Sequence, residues 1–262
     1  MKLGIIGYGN IGSAIIDGIL EKKVLKKKDI LIFDIDKNKT KNLKLKIEKN
    51  NCDLVKNSNI IILAVKPKDA KNVIDEIKNS LSNKKLLISV MAGISIKKLE
   101  EFLDKKIPII RVMPNINVKV KAGIIIYCSN KEGKKYEKIF KRIFSPIGII
   151  MKMPENKFDT ITAISGSGPG FLFYIAELME KIGIEKGIPA KNSRELISYL
   201  FYGTGKMLFE TKMKPEDLKR MVCSPGGTTL AGLNVFEEEK FPDILKKVIN
   251  MAEKRSKELS QS

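Results

Sequence analysis

Along the first half of the chain, short apolar runs alternate with stretches in which apolar residues recur at helical spacing. Lys2–Ile6 reads as a strand, and Ile11, Ala14, Ile15, Gly18 and Ile19 follow at the 3.6-residue period of a helix. Ile30–Asp34 predicts a second strand, and the alternation of Leu43, Leu45 and Ile47 a third. Ile60–Val65 is continuously apolar, as in a strand covered on both faces. Val73, Ile74, Ile77 and Leu81 mark a helix; Leu86–Met91, Ile107–Val112, Gly123–Cys128 and Ile147–Met151 are further strands. Between the last two, Tyr136, Ile139, Phe140, Ile143 and Phe144 share one helical face. Strands that alternate with helices imply crossover units and a mainly parallel sheet.

Beyond about Pro154 strand signals nearly vanish. Helices are predicted over Phe158 to about Lys186, Ala190–Thr211, Thr228–Glu239 and Pro242 to about Leu259, with Pro189 and Pro215 in the connections. The expected division is an α/β domain over 1–154 and an all-α domain over 155–262. Disorder is expected only in the polar end, Lys254–Ser262.

Gly7-Tyr8-Gly9-Asn10-Ile11-Gly12 fits G-x-G-x-x-G directly after a predicted strand and at the start of a predicted helix. That context makes it a dinucleotide-binding fingerprint and the α/β half a Rossmann domain. Gly7 permits the tight turn, Gly9 lets the backbone approach a pyrophosphate, and Gly12 lets helix and strand pack closely. The helix N-terminus then offers N–H groups to the phosphates. Asp34 ends the second strand, where a carboxylate accepts the adenosine ribose hydroxyls. It repels a 2′-phosphate, which slightly favours NADH; Lys37 and Lys39 just beyond offset that repulsion and leave NADPH open. Ala64-Val65-Lys66-Pro67 and Val90-Met91-Ala92-Gly93 follow two further strands, where ligands of open α/β sheets sit, although simple loops explain them equally well.

Two glycine-rich segments stand in the helical half. Ser165-Gly166-Ser167-Gly168-Pro169-Gly170 breaks a helical pattern and permits close approach of a cofactor or another helix. Ser224-Pro225-Gly226-Gly227-Thr228-Thr229 precedes a helix. Its N–H groups and threonine hydroxyls suit an anion such as a substrate carboxylate, more than an N-cap alone requires. Tyr202 and Lys206 fit Y-x-x-x-K by accident, since that pair lies outside the sheet-forming half.

Composition narrows the chemistry. The chain has 262 residues and no histidine, so a histidine base, a histidine metal ligand and a Ser-His-Asp triad are excluded. Cys52, Cys128 and Cys223 are far apart with no C-x-x-C spacing, which suits a reducing cytoplasm and gives no metal site. No apolar stretch is long enough to span a membrane, and the glycine motif makes a cleaved leader at Met1 unexpected. The formal charge of +19 comes mostly from lysines spread over the whole chain. With so few arginines, solvated faces explain it better than nucleic-acid binding.

Six segments occur in order: GYGNIG at 7–12, AVKP at 64–67, SVMAGIS at 89–95, RVMPN at 111–115, TAISGSGPGF at 162–171 and SPGGTTLAGL at 224–233. Together they resemble the pyrroline-5-carboxylate reductase family. The resemblance implies hydride transfer from NADH or NADPH to the C=N bond of 1-pyrroline-5-carboxylate, giving L-proline. It implies that Asn51 contacts the adenosine ribose, and that Ala64, Val65, Lys66, Pro67, Val90, Met91 and Ala92 touch the cofactor. It places the substrate carboxylate on Ser224, Gly226, Gly227, Thr228 and Thr229, with Thr229 as the hydroxyl partner and no acid or base residue assigned. It also implies a homodimer through the C-terminal helices, with some members larger. Ile116 and Asn117 after RVMPN, Gly170 in GSGPG, and Lys212 where some members have a glutamate depart from the family pattern. The alternatives are another imine reductase, a β-hydroxyacid-dehydrogenase-like enzyme and a non-catalytic dinucleotide-binding regulator.

Overall fold

A computed structural model describes residues 1–261, with side chains through Leu259; Ser262 lies outside the described residues. The strands are β1 (Leu3–Ile6), β2 (Ile30–Phe33), β3 (Lys46–Ile47), β4 (Ile60–Leu63), β5 (Leu86–Ser89), β6 (Ile109–Pro114), β7 (Gly123–Ser129) and β8 (Gly148–Lys152). The helices of this part are α1 (Asn10–Glu21), α2 (Asn51–Asn57), α3 (Ala70–Ile77), α4 (Ile96–Leu103), α5 (Glu137–Phe144) and the single turn α6 (Phe158–Ile161). The sheet order is β3-β2-β1-β4-β5-β6-β7-β8. Adjacent strands run parallel except β6 and β7.

Both faces of the sheet are covered, which is why its strands read as unbroken apolar runs. Leu3, Ile5, Ile30 and Ile32 pack with Ile15, Ile19 and Phe140 on one face. Ile6, Leu31, Ile61 and Leu63 pack with Leu54, Ile74 and Leu99 on the other. The alternation within each strand thus sends successive apolar side chains into two separate cores.

Several expectations change. The third strand shrinks to Lys46–Ile47, both exposed at the sheet edge, while Leu43 and Leu45 fold back against the core. Helix α2 is capped by Asn50, whose side chain accepts from the Asp53 N–H at 2.8 Å, and α4 by Ser95, which accepts from Lys98 at 3.1 Å. Neither helix is in the sequence reading, because each is short and flanked by polar residues. The helix predicted from Phe158 is not continuous. A π-helical turn, Thr162–Gly166, follows α6, and a new helix starts at Gly168. The polar chain end is helical, and Ser256 is buried with its hydroxyl on Asp159 at 2.6 Å.

The chain divides into two compact units: Met1–Ser167 with the chain end from Met251, and Gly168–Asn250. The second holds α7 (Gly168–Glu185), α8 (Ala190–Thr211), α9 (Pro215–Met221), α10 (Thr228–Glu238) and the first half of α11 (Phe241–Gln261). There α7 and α8 meet where Gly183 leaves room for Ser193, whose hydroxyl donates to the Glu180 carbonyl at 3.0 Å.

In the first unit one buried ion pair ties three segments together. The Arg111 guanidinium on β6 reaches Glu155 at 2.9 Å and lies 4.6 Å from the centre of the Phe158 ring. The same Glu155 oxygen accepts from the Ile96 N–H at 2.8 Å. Removing the carboxylate charge leaves a buried cation without its counter-ion. Because Glu155 is one-third exposed, solvent offsets part of the loss. Glu155→Gln is expected to lower the unfolding free energy of this unit by about 1–3 kcal/mol in a urea titration; no change would show that water already screens the pair.

Candidate functional site

The carboxyl ends of β2, β1, β4 and β5 lie side by side, and the strand order reverses beside β1. Ligands of open α/β sheets bind at such a switch point. The fold brings the predicted segments 7–12, 64–67 and 90–92 to this edge.

Gly7 has φ +95°, and its N–H donates to the Phe33 carbonyl at 2.9 Å. A Cβ there would stand 2.6 Å from the Ala64 carbonyl oxygen. At Gly12 a Cβ would run into the Gly7 carbonyl oxygen. β1, β4 and α1 therefore touch backbone to backbone, and two missing side chains make it possible. Gly9 differs: a Cβ there would meet nothing within 4 Å. It is the N-cap of α1, which begins with no side-chain cap, so no capping side chain takes the first N–H groups of the helix. That is the cradle a pyrophosphate requires.

Tyr8 is nearly buried. Its hydroxyl donates to Asp17 at 3.4 Å, and burial, aided by that carboxylate, pushes the phenol up to about 12. Its N–H donates to Asp34 Oδ2 at 2.6 Å. Asp34 thus braces the glycine loop, a role the sequence reading does not give it. Oδ1 accepts from the Asp36 N–H at 2.8 Å and lies 3.4 Å from Lys39 Nζ. Between these acidic residues Ile35 is 92% exposed, an apolar surface at the same strand end that the sequence reading also passes over.

Asn10 is exposed at the start of α1, and Ile11 packs against the core. Ala64 donates its N–H to the Ile6 carbonyl at 2.8 Å, extending the β1–β4 ladder. Val65 packs against the core, Lys66 is exposed, and Pro67 opens a 3₁₀ turn. Val90 continues the β5 pairing through the Leu63 carbonyl, Met91 is buried, and Ala92 is half-buried. Asn51 is turned inward: its amide donates to Glu76 at 2.6 Å, and its Oδ1 is buried without a partner.

In the second unit, the Ser224–Gly227 turn closes with the Gly227 N–H on the Ser224 carbonyl at 2.9 Å, and Gly226 has φ +70°. Ser224 fills the space where a Gly227 side chain would stand. Gly227, not a threonine, is the N-cap of α10, and no side chain caps that helix. Thr228 and Thr229 are its first two residues and are exposed. An uncapped helix start with two hydroxyls in its first turn suits an anion. Of the departures, Ile116 and Asn117 open a 3₁₀ turn, Gly170 is exposed on α7, and Lys212 ends α8 with φ +54°.

Among the described residues no group of three His, Cys, Asp or Glu gathers to hold a metal, and no helix is long and apolar enough to cross a membrane. Burial pushes the Cys128 thiol up to about 12, which leaves it protonated and unreactive.

Comparison with known proteins gives consistent matches. Residues 155–259 match the family described as pyrroline-5-carboxylate reductase dimerisation. Residues 2–93 match NADP oxidoreductase coenzyme F420-dependent. The pyrroline-5-carboxylate reductase of Methanosarcina acetivorans is 34% identical over 99% of this chain and 98% of its own length. That of Aquifex aeolicus is 32% identical over 99% of this chain and 97% of its own. The crystal structure of Plasmodium falciparum pyrroline carboxylate reductase with NADP bound superposes with a TM-score of 0.92 at 34% identity, covering 99% of this chain and 98% of that one.

Gly9 yields a test of the cradle. Because its Cβ would touch nothing, Gly9→Ala is expected to leave the melting temperature within about 2 °C while weakening NADPH binding at least roughly tenfold in calorimetry. A folded variant that binds as the parent does would show that no phosphate approaches this backbone.

Proposed function

The chain belongs to the pyrroline-5-carboxylate reductase family; it is an NAD(P)H-dependent reductase of 1-pyrroline-5-carboxylate that forms L-proline, and we propose how its residues divide that work. The reaction rests on the full-length match to curated reductases. In this reading residues 1–154 bind the dinucleotide, and 155–262 bind the substrate and a second copy of the chain.

Gly7, Gly9 and Gly12 hold the pyrophosphate against the start of α1. Tyr8, Asn10 and Ile11 complete that loop, and Ile35 offers an apolar face to the adenine. The sequence reading gives Asp34 and Asn51 to the adenosine ribose; both side chains are turned inward, onto the Tyr8 N–H and Glu76, and their part in this reading is to brace the loops beside it. Loops 64–67 and 90–92 flank the rest of the cofactor. When bound, the dihydronicotinamide supplies the hydride that reduces the C=N carbon.

The chain's own task is placement. Ser224, Gly226 and Gly227 shape the turn that exposes the α10 N-terminus, which takes the substrate carboxylate. Thr228 and Thr229 add hydroxyls in the same turn, and Thr229 is the hydrogen-bond partner of the substrate. A cyclic imine that arrives protonated already carries the charge that draws a hydride. No strong protein acid is then required, which accords with a chain that lacks histidine. Orientation alone provides a large share of such a rate. A cytoplasmic setting belongs to this reading and is supported by three free thiols.

The partner is a second copy of the chain. Within Gly168–Asn250 few side chains are buried: Ile197 and Ser193 on α8 and Pro169 on α7. Phe173, Tyr199 and Phe209 are 63, 71 and 72% exposed. So much apolar surface on one small unit marks an interface.

Two measurements test this. The first follows NADPH and NADH oxidation with racemic pyrroline-5-carboxylate. Turnover is expected, and Thr229→Ala should raise KM for the imine by about tenfold or more, as loss of a hydrogen bond to a charged group requires, with dinucleotide affinity unchanged. An unchanged KM would remove Thr229 from the substrate. The second is light scattering, in which the native mass should be that of a dimer or a multiple of it. Phe209→Asp should lower both mass and thermal stability. A folded monomer at micromolar concentration would contradict the interface.

A further inference from the structure

We propose that Lys39 is a specificity-determining residue that admits a 2′-phosphorylated dinucleotide, and that Asp34 anchors the glycine loop without rejecting that phosphate. The inference rests on the dinucleotide reading above and concerns which dinucleotide is taken.

A carboxylate at the end of β2 rejects a 2′-phosphate only if its charge reaches the ribose. Asp34 is poorly placed for that. Its side chain is 6% exposed. Oδ2 holds the Tyr8 N–H at 2.6 Å, and Oδ1 holds the Asp36 N–H at 2.8 Å. These charge-assisted bonds tie the carboxylate to the loop on one side and to its own strand end on the other. The remaining charge faces Lys39 Nζ at 3.4 Å, on a side chain 44% exposed. Lys39 therefore lies against the inward-turned anion on a side chain that stays partly exposed.

The position of Lys39 is built into the backbone. Asp36 caps the 3₁₀ turn Lys37–Lys39 through the Asn38 N–H at 3.0 Å, and the Lys39 N–H donates to the Asp36 carbonyl at 3.1 Å. The charged side chains at this strand end are Asp34, Asp36, Lys37 and Lys39. With both lysines the acidic pair is balanced; without Lys39 the sum is negative and a 2′-phosphate is repelled. Lys37 is exposed on the same turn with no ion pair to Asp34. The dependence on Lys39 thus follows from its contact with Asp34, not from the number of lysines nearby.

The experiment is calorimetric titration of the full-length protein with NADPH, NADH, adenosine 2′,5′-bisphosphate and 5′-AMP, for the parent, Lys39→Ala and Asp34→Asn. Lys39→Ala should weaken NADPH and the bisphosphate by about tenfold or more, with NADH and 5′-AMP changed by less than about twofold. Equal losses for both dinucleotides would reduce Lys39 to a structural contact, and no loss would remove it from the site. Asp34→Asn should weaken NADPH and NADH in parallel, because the loop loses a charged brace. A gain for NADPH relative to NADH would return Asp34 to the role of discriminator and overturn the proposal. If the folded parent binds neither dinucleotide, the cofactor reading itself falls, and this proposal with it. Binding without turnover leaves the proposal to be judged on these ratios.

Discussion

Three backbone segments meet at the centre of the sheet edge with no side chain between them. The end of β1 at Gly7 lies against the Ala64 carbonyl at the end of β4, and the first turn of α1 at Gly12 lies against Gly7. Any Cβ at Gly7 or Gly12 would separate these segments. This contact also lies where the chain changes direction across the sheet: β2 and β3 are laid down on one side of β1, and β4 to β8 on the other. The uncapped N-terminus of α1 follows β1, the strand beside which the order reverses. In the proposed reading the dinucleotide site is thus not added to the fold but set where the strand order reverses. Gly9, with open space beside it, is the one glycine of the three that the fold does not need.

Much of this was legible because the pattern of side chains is tied to the backbone by geometry. Runs such as Ile60–Leu63 and Leu86–Ser89 are apolar on both faces because helices cover both faces, and Gly7 and Gly12 are required by contacts at fixed spacing. What escaped depended on capping and on long-range hydrogen bonds. α2 and α4 are one or two turns long, so their periodicity is weak, and their starts are fixed by Asn50 and Ser95. The π-helical turn at Thr162–Gly166 leaves only a break in the pattern, which packing and function explain equally well from sequence. The bond from the Tyr8 N–H to Asp34 joins residues far apart in the chain. A motif can place Asp34 at the strand end, but it cannot say which way the carboxylate turns.

The helical unit poses the opposite problem. Its long helices were plain and only the short α9 escaped the sequence reading, yet their apolar residues have no single buried stripe. Phe173, Tyr199 and Phe209 stay exposed, while Ile197 and Ser193 are among the few buried side chains. Each buried aromatic side chain contributes roughly 2–3 kcal/mol, so a unit that leaves so many exposed stands far from the stability of an ordinary domain. The second copy proposed above would resolve this, since a two-fold interface needs only one self-complementary patch.

The same restraint appears in the chemistry. Histidine is absent, the Cys128 thiol and the Tyr8 phenol are both held near 12, and each of these groups stays protonated at neutral pH. No strongly acidified donor stands in their place. For a reaction that needs the enzyme to deliver a proton before the hydride, this inventory would be a defect. For a cyclic imine that protonates in solution it is not, because the substrate carries its own activating charge into the site. What such a substrate requires is a fixed anion anchor, and the uncapped start of α10 with Thr228 and Thr229 in its first turn is the one proposed here. The proposed division of work is therefore one of position: glycines take the dinucleotide and a bare helix end takes the carboxylate.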